Sequence, residues 1–222
     1  MLKDKKEKKA IRNKIILRLG EILQDSDGIL TLVKLNILFL FTALPFLPPV
    51  FPFTFGPASA AITHCTGIMV KNGYLPDVSK TYFSTFRNSF KKAVIPGLLT
   101  VLATVFFSLS LYIYLSMSSS NIIYIPVASV SMVVLVVLTG TGIHMFPEIA
   151  LDKNNKTVKN YFRMGFINMA EKLPGTMLAV IIAFIITAAI LLMLPATLPL
   201  LLTIAFSVPA LAMAFAHNDP EW

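Results

Sequence analysis

Charge is scarce in this chain. Only 14% of its 222 residues are Asp, Glu, Lys or Arg and 56% are hydrophobic, whereas soluble domains carry about 25% charged residues. An ordinary soluble domain is excluded, and several apolar runs of about 18 or more residues, each able to cross a hydrocarbon core of about 30 Å, point to a membrane protein. Cysteine is nearly absent. The single Cys65 rules out an internal disulfide framework and a Cys-based zinc site. The spans hold no HExxH, no GxSxG, no glycine-rich phosphate loop and no paired carboxylates, and each of those chemistries needs such groups at fixed spacing. Ser59 and His64 stand five positions apart, off the helical turn that would align a nucleophile with a base. No enzyme activity, cofactor or metal is therefore expected.

Acids are outnumbered. Nineteen lysines and arginines against 11 acids give a net charge of +8, a balance that can indicate nucleic acid, but its distribution argues against that partner. The basic residues gather in the first 18 positions, from Lys71 to Lys92 and from Lys153 to Lys172, each group bordering an apolar run. That pattern keeps loops cytoplasmic.

In chain order, residues 1–28 form a basic tail in which Ile11, Ile15, Leu19, Ile22 and Leu23 recur at helical spacing, as an amphipathic helix on the inner leaflet requires. Arg18 and Glu21 interrupt what would be the apolar region of a signal peptide. The transmembrane region is expected over 29–216, with cytoplasmic loops at 71–92 and 147–173 and a cytoplasmic tail at 217–222. The first span runs from about Ile29 to Leu47, with Lys34 snorkelling to headgroups and Asn36 deeper, where an amide seeks a neighbouring helix. Prolines at 45, 48, 49, 52 and 57 imply an outer turn. A second span, short and rich in small residues, follows from Pro57 to Val70. Spans from about Ala93 to Met117, Ile122 to Phe146 and Pro174 to Leu194, and one ending near Ala216, complete about six crossings. With both termini inside, every lysine and arginine falls on the cytoplasmic side and the outer turns carry no charge.

Two segments repeat. KTYFSTFRNSFKKAVIPG from Lys80 matches KNYFRMGFINMAEKLPG from Lys159, aligning Lys80, Tyr82 and Phe83 with Lys159, Tyr161 and Phe162, and Pro96-Gly97 with Pro174-Gly175. The fold expected is an all-α polytopic transmembrane helix bundle built on a tandem repeat of helix, cytoplasmic amphipathic helix and helix. In each copy Pro-Gly marks an elbow at which a helix lying on the membrane turns through it. Tyr82, Phe83, Phe86, Arg87, Phe90 and Lys91 in the first copy, with Tyr161, Phe162, Arg163 and Phe166 in the second, form a candidate interfacial or docking surface, phenylalanines in acyl chains and basic groups on anionic headgroups. His64 and His144 fall at matching places in the repeats. With Asn36 they make a candidate intramembrane polar site, and the two histidines can face each other across the internal symmetry. Glu148 stands one turn after His144, within reach of it, but Pro147 disturbs that spacing and a solvated helix end is the reading preferred.

The run from about Lys34 to Gly97, with Asn36, Gly56-Pro57-Ala58, Ala61, Phe83, Phe86, Phe90 and Lys91, resembles the YesL-like family of bacterial membrane proteins, a domain of unknown function. The resemblance implies a multi-pass helical protein of the bacterial cell membrane, often encoded beside carbohydrate uptake systems, and brings no catalytic residue. Glu148-Ile149-Ala150-Leu151-Asp152 and the helix after it are similar to the coupling loop of ATP-driven importer permeases, though Lys153 replaces the glycine usual there. Together these imply an accessory or regulatory component of a carbohydrate (ABC-type) uptake system, with importer subunits or further copies of itself as partners. The alternative is a small-solute transporter or channel in its own right.

Overall fold

The structure, a computed structural model, describes residues 20–22, 24–43, 51–118, 121–152, 154, 156–192 and 203–217. These residues form helices with no strand among them: α1 (Ser26–Ala43), α2 (Phe51–Asn72), α3 (Val78–Ser118), α4 (Tyr124–Leu151), α5 (Val158–Glu171), α6 (Leu173–Leu192) and α7 (Ser207–His217). α1, α3 and α4 are long and apolar enough to cross a membrane, and the α5–α6 pair, bent by 103°, makes a fourth candidate. The expected amphipathic N-terminal helix, the proline-rich outer turn before Phe51 and the turn before α7 lie largely or wholly outside the described residues. Ile22, within them, is buried. α7 covers only the last part of the expected final span.

The longest element is α3. Its 41 residues measure about 61 Å at the helical rise, about twice the hydrocarbon thickness. Tyr112 and Phe106 are 73% and 66% exposed in its second half. Paired with the first half of α4 through Ser110 and Ser131, whose hydroxyl oxygens lie 2.9 Å apart, that half forms an apolar hairpin. Its first half carries Lys80, Arg87, Lys91 and Lys92 and packs along α2 in the opposite direction. The expected elbow at Pro96-Gly97 is not a break, because α3 runs through it. Pro96-Gly97 is instead a crossing point: a methyl group on Gly97 would lie 2.4 Å from Gly56 Cα, and one on Gly56 would lie 2.1 Å from the Ala93 carbonyl oxygen. Backbones that close tolerate only glycine on both sides.

α2 begins at Phe51 rather than Pro57 and has 22 residues. Pro57 falls in its second turn, where the one carbonyl left unpaired lies near the helix start. Ala58, Ala60, Ala61, Thr63, Cys65 and Thr66 are at most 3% exposed, so α2 is wrapped by its neighbours. It is not among the helices apolar enough to cross a membrane.

The second basic segment makes a comparable antiparallel pair. α5 lies lengthwise along the end of α4, with Gly165 against the Thr141 carbonyl oxygen and Met169 against Gly140. Here the chain does bend, at Lys172, and α6 departs with Gly175 against Ala216 of α7. The two basic segments thus share a glycine-mediated helix crossing, beyond which α3 continues as one helix whereas the second segment turns.

Candidate functional site

The docking surface expected on the basic segments separates into two faces. Tyr82 and Tyr161 are inside, at 0% and 1% exposure. Phe86 and Phe162 are half-buried against the core. Phe83, Arg87, Phe90 and Lys91 remain exposed on one side of α3, and Arg163 and Phe166 on α5. The buried stripe of α3 is therefore Tyr82, Thr85, Ser89 and Ala93 rather than the phenylalanine stripe, because small side chains let α2 approach while bulky rings turn outward.

The two basic segments are joined. Lys92 Nζ donates to the Asp152 carbonyl oxygen at 2.6 Å and lies 4.0 Å from its carboxylate. The same carboxylate, 2% exposed, accepts from the Tyr161 hydroxyl at 2.6 Å and from the backbone N–H groups of Asn154 and Lys156 at 3.0 Å each. Burial pushes the Asp152 carboxyl up, but these hydrogen bonds and the Lys92 ammonium outweigh it and hold the group below the usual carboxylate range. The Tyr161 phenol is pushed up by burial and by its carboxylate partner. Glu148 turns to Lys156, at 3.6 Å, and to the Asn168 amide, at 3.2 Å. Both acids of the coupling-loop resemblance thus have partners within the chain, and neither bonds His144.

The polar residues of the interior meet through one recurring device. A threonine hydroxyl donates to a carbonyl one turn back in its own helix and accepts from a side chain on another helix. Thr42 donates to Leu38 O and sits 2.7 Å from the Tyr82 hydroxyl. Thr85 donates to Thr81 O and sits 3.2 Å from His64 Nδ1. Thr176 donates to Lys172 O at 3.0 Å and sits 2.8 Å from His144 Nε2. The Thr176 hydroxyl thus lies between the Lys172 carbonyl oxygen and His144 Nε2. The Nδ1 of His144 lies 3.1 Å from Nδ1 of His217, within hydrogen-bond distance. Lys172 Nζ donates to the His217 carbonyl oxygen, closing a circuit through α4, α6, α7 and the bend at Lys172.

His144 is thus paired with His217 rather than with His64, its two ring nitrogens being taken by His217 and Thr176. His217 was missed by the sequence reading, which placed it in the terminal tail. The signal available was the apolar run that leads into it. Asn36, fully buried, accepts from the backbone N–H groups of Phe206 and Ser207 at 2.7 and 3.2 Å. It supplies from α1 the acceptor that the start of α7 needs.

A cavity of about 330 Å³ lies among α1, α2, α3, α4, α6 and α7. Phe39, Phe55, Phe146 and Phe206 form part of its wall in edge and tilted ring contacts. Ser59, Thr63, Thr100, Thr104, Thr139 and Thr187 are among the residues that line it, and none of the described lining residues is charged or a histidine. No group of three or more His, Cys, Asp or Glu among the described residues can hold a metal ion.

Residues 32–111, from α1 through most of α3, match the family model described as "Protein of unknown function, DUF624". No curated protein and no solved structure matches the chain.

Proposed function

We propose that this chain, whose segment 32–111 is similar to a domain of unknown function, is a multi-pass bacterial membrane protein acting as an accessory or regulatory component of a carbohydrate uptake system. The observation that carries the docking part is that Lys92, Asp152 and Tyr161 clamp both basic segments into one body while the aromatic and basic faces of α3 and α5 stay exposed. A fixed surface that presents Phe83, Arg87, Phe90, Lys91, Arg163 and Phe166 suits a partner that reads position, such as an importer subunit or a second copy, above anionic headgroups. The carbohydrate link draws on the YesL-like resemblance of Lys34 to Gly97. Orientation draws on charge: the basic segments belong on the cytoplasmic side. The matched Lys-Tyr-Phe motifs and the glycine crossings of both basic helices support a tandem repeat. A count of six crossings has charge and hydropathy behind it, whereas the packing of α2 beside the basic half of α3 favours fewer, with α1 and α2 dipping together.

Affinity purification in mild detergent at native expression tests this reading. Recovery of transporter subunits, reduced by Arg87→Glu with Lys91→Glu, is the expected result. Recovery of none, or recovery unaffected by those changes, overturns it. The cavity favours a second reading, transport of a small solute by the chain itself. Reconstituted vesicles that pass no protons, ions or sugars would remove it.

A further inference from the structure

The chemistry of the cavity narrows what can occupy it. Burying an unpaired charge there would be costly, and no lining side chain is ionised to offset one. The hydroxyl protons of Thr63, Thr100, Thr139 and Thr187 are directed to carbonyls of their own helices, at 2.7, 2.8, 2.8 and 2.8 Å. While those bonds are kept, their oxygens retain lone pairs, so these four wall groups are open to a hydrogen bond as acceptors. The remaining surface is mostly phenylalanine and aliphatic. A deep side is made by Ile62, Thr63, Ile143 and Ala210, each at most 3% exposed. On the other side Thr100, Thr104, Leu138 and Thr139 are partly exposed and Thr187 is exposed. Leu99, Leu102 and Phe184 around that side are 46%, 55% and 69% exposed, the apolar surface expected to meet lipid.

We propose that this cavity is a binding site for an uncharged, lipid-soluble molecule with an apolar body and a hydroxyl group, which enters from the bilayer between α3, α4 and α6. The apolar body fills the phenylalanine end, and the hydroxyl donates to a threonine oxygen. A volume of about 330 Å³ falls at the lower end of the usual range for small-molecule pockets. The inference needs neither reading of the protein's function.

The test uses the full chain in nanodiscs of zwitterionic lipid, with a diazirine-bearing decanol as photolabel and mass spectrometry to map the adducts. Saturable labelling of cavity residues is expected, displaced by n-decanol, less well by n-decane, and not by decanoate. Gly142→Phe puts a ring into the cavity from a position where an added methyl meets only the Phe146 ring, at 3.6 Å, and it should abolish that labelling. Thr139→Val keeps the shape, removes one acceptor and should weaken binding about fivefold, the worth of one ordinary hydrogen bond. Labelling that never saturates and spreads over Leu99 and Phe184 would show partition into lipid alone and overturn the site. Equal displacement by decane and decanol would overturn the role of the hydroxyl. Where Gly142→Phe fails to fold, the competition series and Thr139→Val decide the matter.

Discussion

Asp152 carries the most concentrated electrostatics among the described residues, and its partners determine its behaviour with pH. Its carboxyl is held below the ordinary range when folded, so the stabilisation it gives is complete above its unfolded value of about 3.9 and is lost as pH falls through the lower folded value. Tyr161→Phe removes the 2.6 Å donor, costs about 2 kcal/mol as the loss of a hydrogen bond to a charged group, and raises the carboxyl. Thermal unfolding in detergent should show the variant less stable at neutral pH, with an acid decline that begins at the same unfolded value but is smaller and complete at a higher pH than in the native chain; an unchanged acid decline would remove Tyr161 from this role. Asn36 makes a different kind of prediction. Asn36→Leu strips the acceptor from the start of α7, and a lost cap costs about 1–2 kcal/mol. Hydrogen exchange at Phe206 and Ser207 should accelerate, while exchange in α4 stays as it was. The sequence showed that Asn36 must find a partner on another helix. It did not show which, because that partner is a pair of backbone N–H groups about 170 residues away and no side chain announces it.

At the scale of elements, the basic helices were legible and their geometry was not. Periodicity reported that residues from Lys80 and from Lys159 form amphipathic helices, and α3 and α5 contain them. Pro-Gly in both basic segments suggested two equal elbows, yet in neither is the glycine the bend. At Gly97 it admits the backbone of α2, whereas the bend of the second copy falls at Lys172, ahead of Pro174-Gly175. Spacing alone cannot tell a bend from a close crossing, since both call for a residue without a side chain. A substitution series separates them. Gly97→Ala drives a methyl into Gly56 and should destabilise by about 1–3 kcal/mol as overpacking; Gly56→Ala drives one into the Ala93 carbonyl oxygen at the same crossing, so the double variant, relieved by one separation of the helices, should cost less than the sum of the two. At Gly175 the nearest atom to an added methyl is Ala216 Cα at 3.4 Å, and Gly175→Ala should leave the melting temperature nearly unchanged. Equal losses at Gly97 and Gly175 would mean that the α2–α3 crossing is not the tight one.

For the whole molecule, composition announced helices apolar enough to cross a membrane, and α1, α3 and α4 are such helices, while depth needed packing. On the proposed orientation the N-terminal lysines and the basic half of α3 share one side, which requires an even number of crossings between them, so α1 and α2 would cross together or not at all. Gly56 touches Gly97, and from Gly97 to Ser118 the apolar half of α3 already measures about 33 Å, enough to span the hydrocarbon. Phe53 lies one turn before Gly56 in a helix antiparallel to α3, which leaves it about 27 Å short of the tip of the hairpin. On the proposed orientation it therefore sits near the basic side, and the described parts of α1 and α2 would enter the membrane without reaching the level of the hairpin tip. Labelling of single cysteines in a Cys65→Ser background, with an impermeant maleimide on intact cells, checks this. Asn121→Cys at the hairpin tip should label from outside, Asn154→Cys and Lys71→Cys only after permeabilisation, and Phe53→Cys, at a position 47% exposed in the protein, should resist the reagent from outside. Labelling of position 53 on intact cells would restore α2 as a full crossing and with it the count of six, and labelling of position 154 there would reverse the orientation on which the docking surface depends.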